Sequence, residues 1–248
     1  MGNPGLERTA PTLPLPPAEK TGVSVAPKVA IVIPAFNEST TIQEVVAMVR
    51  AAFDWVIVID DGSADDTAAL ALAAGAHVLV HPINLGQGAA LQTGLEYAIQ
   101  GGADLIATFD ADGQHCVEDI PVMIAAIEKS GAEIALGSRF LGSTESMPTT
   151  RKLLLKAATL FTRVTTGLRL TDAHNGMRLF TRAGAKKIQI RQNRMAHASE
   201  ILSQIAELRV PFIEVPVTVR YTQYSMAKGQ SSLGAINIVL DLIIQRLK

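Results

Sequence analysis

The strongest constraint on this chain is a repeating pair of segments: a short apolar run rich in β-branched residues, then a stretch with helical spacing. Residues 29–33, 55–59, 77–81, 105–109 and 133–137 read as strands of this kind. Residues 40–53, 66–74, 88–100 and 120–129 read as the helices between them. In the first helix Ile42, Val45, Val46 and Val49 share one face. Pro34 is expected to stop the first strand. Near-continuous apolar strands alternating with helices predict an α/β, Rossmann-like, mainly parallel sheet flanked by helices on both faces. Such sheets bind ligands outside the C-terminal ends of their strands. The polar clusters Asn37-Glu38, Asp60-Asp61 and Asp110-Ala111-Asp112 fall there.

Beyond Gly142 the pattern changes. Residues 151–168 read as a basic amphipathic helix, in which Leu154, Ala158, Phe161 and Val164 alternate with Lys152, Lys156 and Arg163. Residues 196–208 read as a further helix. Residues 212–221 read as a strand whose flanking Pro211 and internal Pro216 suit a sheet edge. Residues 233–247 read as a strongly apolar final helix, and residues 1–27 hold six of the twelve prolines without periodicity. The expected organisation is a disordered Pro-rich segment over 1–27, one domain over 28–232 and a C-terminal apolar helix over 233–248. No apolar run reaches the about 18–20 residues of a membrane span, and no signal-peptide pattern opens the chain.

With 48% apolar and only 4% aromatic residues among 248, the core is built mainly from Ala, Val, Ile and Leu. A net charge of −1 gives no bulk electrostatic case for a nucleic-acid partner. The single cysteine, Cys116, excludes an intrachain disulfide and a cysteine zinc cluster.

Three clusters carry candidate chemistry. In Asp110-Ala111-Asp112-Gly113-Gln114-His115 two carboxylates one residue apart follow an apolar strand. They suit one hard divalent cation, with an amide oxygen from Gln114, and leave positions open for water or a diphosphate. Asp-Gly turns also serve capping and tight geometry. Asp60-Asp61-Gly62-Ser63 suits hydrogen bonding to a ribose or base, or capping of the next helix by Ser63 or Asp65. Asn84-Leu85-Gly86-Gln87-Gly88 opens a helix, where glycines admit either a phosphate or a close-packed neighbour.

Taken in order, Ile33-Pro34-Ala35-Phe36-Asn37-Glu38, Asp60-Asp61-Gly62-Ser63, Asn84-Leu85-Gly86-Gln87-Gly88, Asp110-Ala111-Asp112-Gly113-Gln114-His115 and Gly137-Ser138-Arg139 resemble a family 2 glycosyltransferase with the GT-A fold. Arg151-Lys152, Asp172-Ala173-His174-Asn175-Gly176-Met177-Arg178 and Glu214-Val215-Pro216 resemble the dolichyl- or polyprenyl-phosphate mannose and glucose synthase group. The resemblance implies that Pro34, Phe36, Glu38 and Asp61 hold the nucleoside. It implies Asp110, Asp112 and Gln114 as the metal set for Mg²⁺ or Mn²⁺, and Arg139 and Arg151 facing donor and acceptor phosphates. Arg220 and Lys228 would lie near the donor diphosphate. Two departures stand out: Asn175-Gly176-Met177 replaces the usual Ser-Gly-Phe, and Arg220 comes early in a rearranged 221–230 loop. That loop resembles a bacterial subgroup associated with polysaccharide or glycolipid assembly.

The activity so implied is an inverting, metal-dependent hexose transfer from a nucleotide-diphosphate sugar to a polyprenyl or dolichyl phosphate. A lipid monophosphate is already an anionic nucleophile. A hydroxyl acceptor would need a base, for which Glu200 is the candidate. A third reading is a non-catalytic sugar-nucleotide-binding subunit of a membrane complex. His115 and His174 either act in catalysis or order their loops. The basic helix suggests a peripheral enzyme at the cytoplasmic face of a membrane, recruited by a small membrane protein or by self-association.

Overall fold

The computed structural model describes residues 27–145, 147–194 and 196–221. The expected Pro-rich segment (apart from Pro27), the apolar final helix and Lys228 lie outside the described residues. β1 (Val29–Ala35), β2 (Trp55–Asp60), β3 (His77–Val80) and β4 (Leu105–Thr108) pair in parallel, with β1 between β2 and β4. The connections are α1 (Ile42–Arg50), α2 (Thr67–Ala73) and α3 (Gln87–Gln100). α4 (Asp119–Ser130) leads from β4 to β5 (Ile134–Glu145), and α5 (Thr149–Thr166) follows. β6 (Arg178–Thr181) then inserts antiparallel between β4 and β5. α6 (Arg182–Lys187), α7 (His197–Glu207) and β7 (Phe212–Arg220) complete the fold. The seven-stranded order is β3-β2-β1-β4-β6-β5-β7. β7, with Pro216, is the edge strand that its prolines predict.

Alternate residues of each strand enter opposite layers. Val32, Ile57, Ile59, Ile106 and Phe180 pack with Leu91 and Leu95 of α3 and with Ile201 and Ile205 of α7. Ile31, Ile33, Val56, Val58 and Leu179 pack on the other side with Val45, Val46 and Val49 of α1 and with Ile120 and Met123 of α4. Each fully buried side chain of this size contributes about 1.5–3 kcal/mol. The apolar face of α1 is the one its spacing predicts.

Three details differ from the sequence reading. β1 runs through Pro34 to Ala35. Its pairing with β4 ends at Val32–Thr108, while Pro34 pairs with Ile59 of β2. Pro34 therefore sits where β1 has a partner on one side only, which tolerates a missing N–H. β5 extends past Gly137 to Glu145, and its ladder with β7 breaks between Ser138 and Ser143. Such a break re-aims side chains, and Arg139 lies in it. β6 and α6 were not expected: four residues starting with a charge carry too little alternation to read as a strand.

α5 buries only part of its expected apolar face. Leu154, Ala158 and Phe161 are half-buried, whereas Leu153, Leu160 and Val164 are exposed by 72%, 60% and 77%. Among the described residues no helix is long and apolar enough to cross a membrane.

Candidate active site

The loops after β1 and β2 are zipped together. Asn37 N donates to Ser63 Oγ at 2.9 Å, Ala64 N to Asn37 Oδ1 at 2.9 Å, and Glu38 N to Thr67 Oγ1 at 2.8 Å. Asn37 adopts a left-handed backbone (φ 52°), which asparagine tolerates. The resulting corner carries Pro34, Glu38 and the 41%-exposed ring of Phe36. Asp61 lies at its base. Its carboxylate accepts the amides of Leu85 (2.9 Å) and Gly86 (2.6 Å) and meets His81 Nδ1 at 2.7 Å. His81 Nε2 in turn lies 3.0 Å from Thr93 Oγ1. Asp61 thus fastens the 81–86 segment to the corner.

The acidic motif follows β4. Gln87 Nε2 donates to Asp110 Oδ1 at 3.3 Å, and His115 Nε2 meets Oδ2 at 2.9 Å. Gly176 closes the other side: a Cβ there would stand 2.1 Å from Asp110 Oδ2. Burial alone would raise the Asp110 carboxyl. The His115 hydrogen bond and the nearby Arg178 charge outweigh it and hold the group below the usual carboxylate range. Asp112 is the reverse case. Burial, followed by the charge of Asp110, pushes it up to about 6. Gln114 N donates to Asp112 Oδ1 at 3.0 Å.

This donor set fits a divalent cation. Two carboxylates repel each other at close range, and a cation between them would relieve that repulsion. Among the described residues no group of three or more His, Cys, Asp or Glu side chains could hold a metal alone. The pair would therefore share an ion with water and a ligand, as hard oxygen-bound Mg²⁺ or Mn²⁺ sites do.

On the far side of the sheet a buried network surrounds Arg139. Its Nε donates to Asp172 Oδ2 at 2.6 Å, Nη1 to Tyr221 Oη at 2.8 Å and Nη2 to the His174 carbonyl at 2.6 Å. Asp172 Oδ1 accepts His174 N at 3.1 Å. Glu214 on β7 fixes the turn beneath by accepting Thr171 N at 2.8 and 2.9 Å and Asp172 N at 3.1 Å. The Arg151 guanidinium lies 5.0 Å over the Tyr221 ring. One tyrosine thus touches both arginines. Burial pulls the His174 and His197 rings down to about 4, so both are neutral near pH 7. Arg178 is buried beside them, and burial pulls its guanidinium down to about 10, against the nearby Asp110 and Asp172 charges.

The family model described as Glycosyl transferase family 2 matches residues 30–189. The chain belongs to that family. It is 31% identical to the UDP-N-acetylglucosamine–dolichyl-phosphate N-acetylglucosaminyltransferase of Methanococcus voltae, over 88% of this chain and 95% of that one. It is 29% identical to the polyprenol monophosphomannose synthase of Mycolicibacterium smegmatis, over 84% and 82%. Among solved structures it resembles Mycobacterium tuberculosis glucosyl-3-phosphoglycerate synthase in complex with Mn²⁺, UDP and phosphoglyceric acid. That likeness has a TM-score of 0.64 at 20% identity over 87% and 78% of the two chains. It is a likeness of fold, and the GT-A architecture expected from the motifs is the one observed. The chain is a family 2 glycosyltransferase.

Most expected site residues of this glycosyltransferase stand along one edge of its sheet. Pro34, Phe36, Glu38 and Asp61 follow β1 and β2, Asp110, Asp112 and Gln114 follow β4, and Arg139 lies on β5. Arg220 ends β7, where its N donates to the Gln114 carbonyl at 2.9 Å. Its exposed side chain lies 3.7 Å from Glu145. Lys228 lies outside the described residues. Glu200, the candidate base for a hydroxyl acceptor, lies at the start of α7. Its Oε2 accepts the amides of Arg191 (3.0 Å) and Gln192 (2.8 Å), so it shapes the segment before α7. That segment also resolves the glycine-rich helix start. Gly88 N donates to Asn193 O at 2.8 Å, and a Cβ on Gly86 or Gly88 would stand 2.3 or 2.0 Å from the backbone oxygens of Asn193 and Gln192. Asp61 takes the Gly86 amide and a close-packed neighbour takes that of Gly88, which leaves neither for a phosphate. Cys116 is buried, and burial raises its thiol. Gln87, Asp172, Gly176, Glu214 and Tyr221 had no role assigned from sequence. The dense polar run 172–178 ahead of an apolar pair was the available signal.

Proposed function

We propose that this enzyme moves a hexose from a nucleotide-diphosphate sugar to a polyprenyl- or dolichyl-phosphate acceptor, with inversion at the anomeric carbon. The observation that carries this reading is the order of groups along the sheet edge. An aromatic and acidic corner follows β1 and β2, a carboxylate pair follows β4, and Arg139 of β5 and Arg151 of α5 meet at Tyr221, just after β7. A donor laid along that edge has its nucleoside at the corner and its diphosphate at Asp110 and Asp112. Its anomeric carbon then faces the arginines, which would hold the acceptor phosphate. The similarity to a dolichyl-phosphate N-acetylglucosaminyltransferase and a polyprenol monophosphomannose synthase supports the acceptor class.

Asp110, Asp112 and Gln114 would hold Mg²⁺ or Mn²⁺, which would supply positive charge for the departing diphosphate. Arg220, whose amide meets the Gln114 carbonyl, would add a cation on the same side. The acceptor phosphate needs no deprotonation, so Arg139 and Arg151 have only to orient it. One displacement on the face opposite the diphosphate inverts the centre. A hydroxyl acceptor would need a general base. Glu200 already holds two backbone amides, which favours the phosphate. The exposed Leu153, Leu160 and Val164 of α5, flanked by Lys152, Lys156 and Arg163, suit an anionic lipid surface where such an acceptor resides.

The test is a competition between acceptors. The enzyme with a panel of UDP- and GDP-sugars receives equal amounts of a short polyprenyl phosphate and a mixture of mono- and disaccharides. The reading expects a lipid-phosphate sugar product. Transfer to saccharide hydroxyls alone would overturn it.

A further inference from the structure

The oddest group in the described structure is Arg178. It is 3% exposed, yet its guanidinium makes no hydrogen bond among the described residues, and Nη1 is sealed away without a partner. A buried cation left unpaired is costly, and native interiors rarely keep one. Two neighbours share the condition: the Nδ1 of His174 and the Nδ2 of Asn175 are also buried and unpartnered. All three precede or open β6, which pairs with β4 at Thr108–Arg178. Arg178 is close enough to Asp110 and Asp172 to feel both charges. Gly176, two residues away, abuts the Asp110 carboxylate itself.

The position along the sheet edge decides what these groups await. β6 stands between β4, which carries the acidic pair, and β5, which carries Arg139. On the proposed reading, the moiety between the donor diphosphate and the acceptor phosphate is the sugar in transit. A hexose brings oxygen acceptors and little charge. It answers the hydrogen-bonding demand of a guanidinium and an amide nitrogen without adding an anion beside Asp110 and Asp172.

We infer that Arg178, with Asn175, binds the transferred sugar by donating hydrogen bonds to its ring or substituent oxygens. The inference rests on the proposed donor reading. Its energetic signature runs opposite to that of a structural arginine. A group held unpaired for a ligand weakens the ligand-free fold, and its removal relieves that weakness while harming ligand binding.

The test uses the full chain with Mn²⁺ and measures affinity by calorimetry for UDP, GDP, UDP-glucose, UDP-N-acetylglucosamine and GDP-mannose. Arg178→Met is expected to keep its nucleoside-diphosphate affinity within about twofold. Affinity for the sugar nucleotide that wild type prefers should fall roughly 10–100-fold, the loss typical of a charge-assisted hydrogen bond. The thermal midpoint of the ligand-free variant should equal or exceed that of wild type. Arg178→Lys keeps the charge beside Asp110 and should also keep diphosphate affinity while losing sugar affinity, which covers a Met variant that fails to fold. Equal weakening for diphosphate and sugar nucleotide would overturn the inference, because Arg178 would then act through Asp110. Unchanged sugar-nucleotide affinity, or a destabilised ligand-free Met variant beside a normal Lys variant, would overturn it too. Wild type that binds no nucleotide would sink the donor reading itself, and the inference with it.

Discussion

Removing the Asp172 carboxylate should damage this fold more than any surface change. Asp172 is 3% exposed and Arg139 7%. One Asp172 oxygen accepts Arg139 N at 3.2 Å and Nε at 2.6 Å, and the other accepts His174 N. Burial opposes the Arg139 charge, and the Asp172 carboxylate more than compensates. Asp172→Ala leaves that guanidinium buried without its counter-charge, a change that costs about 3–5 kcal/mol. In a chain of this size each kcal/mol shifts the melting midpoint by about 2–4 °C, so the midpoint should drop by about 6–20 °C. Circular dichroism melts and urea titrations of wild type and variant, checked for reversibility, measure this. The double variant Arg139→Met/Asp172→Ala should recover part of the loss, because removing both charges of a buried pair is far less harmful than removing one. The recovery is partial, since Tyr221 Oη and the His174 carbonyl lose their donor. A single variant within about 1 kcal/mol of wild type, or a double variant whose losses simply add, would refute the buried-pair account.

Gly176→Ala should unseat Asp110, because its Cβ would meet the carboxylate at 2.1 Å; Mn²⁺ affinity measured by calorimetry should drop while most of the fold survives. Tyr221→Phe keeps the ring under Arg151 but frees Arg139 Nη1; KM for the polyprenyl phosphate should rise several-fold with donor KM unchanged, as steady-state kinetics would show. The pH dependence of metal binding follows from Asp112, which burial and Asp110 push up to about 6. Protons displace the cation below that value, so Mn²⁺ affinity should fall about tenfold per pH unit under pH 6 and level off above pH 7. In the metal-free protein the sign is opposite, because a raised folded-state pKa makes stability decline as pH rises from about 4 through 6. Asp112→Asn should abolish both trends.

The strands and the acidic edge were legible because local pattern and burial agree there. Residues 55–59 are apolar throughout, and β2 is buried on both faces. Asp110 and Asp112 stand where a parallel sheet exposes its strand ends. What stayed hidden depends on contacts distant in sequence. Gly86 and Gly88 are explained by the backbone of Gln192 and Asn193, about a hundred residues away. Nothing near Glu200 announces that it caps residues 191 and 192. β6 escaped notice because Arg178 breaks the apolar pattern at its first residue, and a four-residue strand has no room to restore it. Tyr221 joins two arginines that lie 82 and 70 positions before it, a link no local spacing encodes.

The central claim is that the Asp110–Asp112 pair and the arginine network serve one transfer from nucleotide sugar to lipid phosphate. The most direct measurement follows labelled sugar from a nucleotide donor into a short polyprenyl phosphate. Wild type and Asp112→Asn run side by side, each with Mn²⁺ and with chelator. A lipid-linked product made by wild type with Mn²⁺ alone, and lost by at least about a hundredfold in the variant, is the predicted result. Equal product from the variant, or undiminished transfer in chelator, would contradict the account.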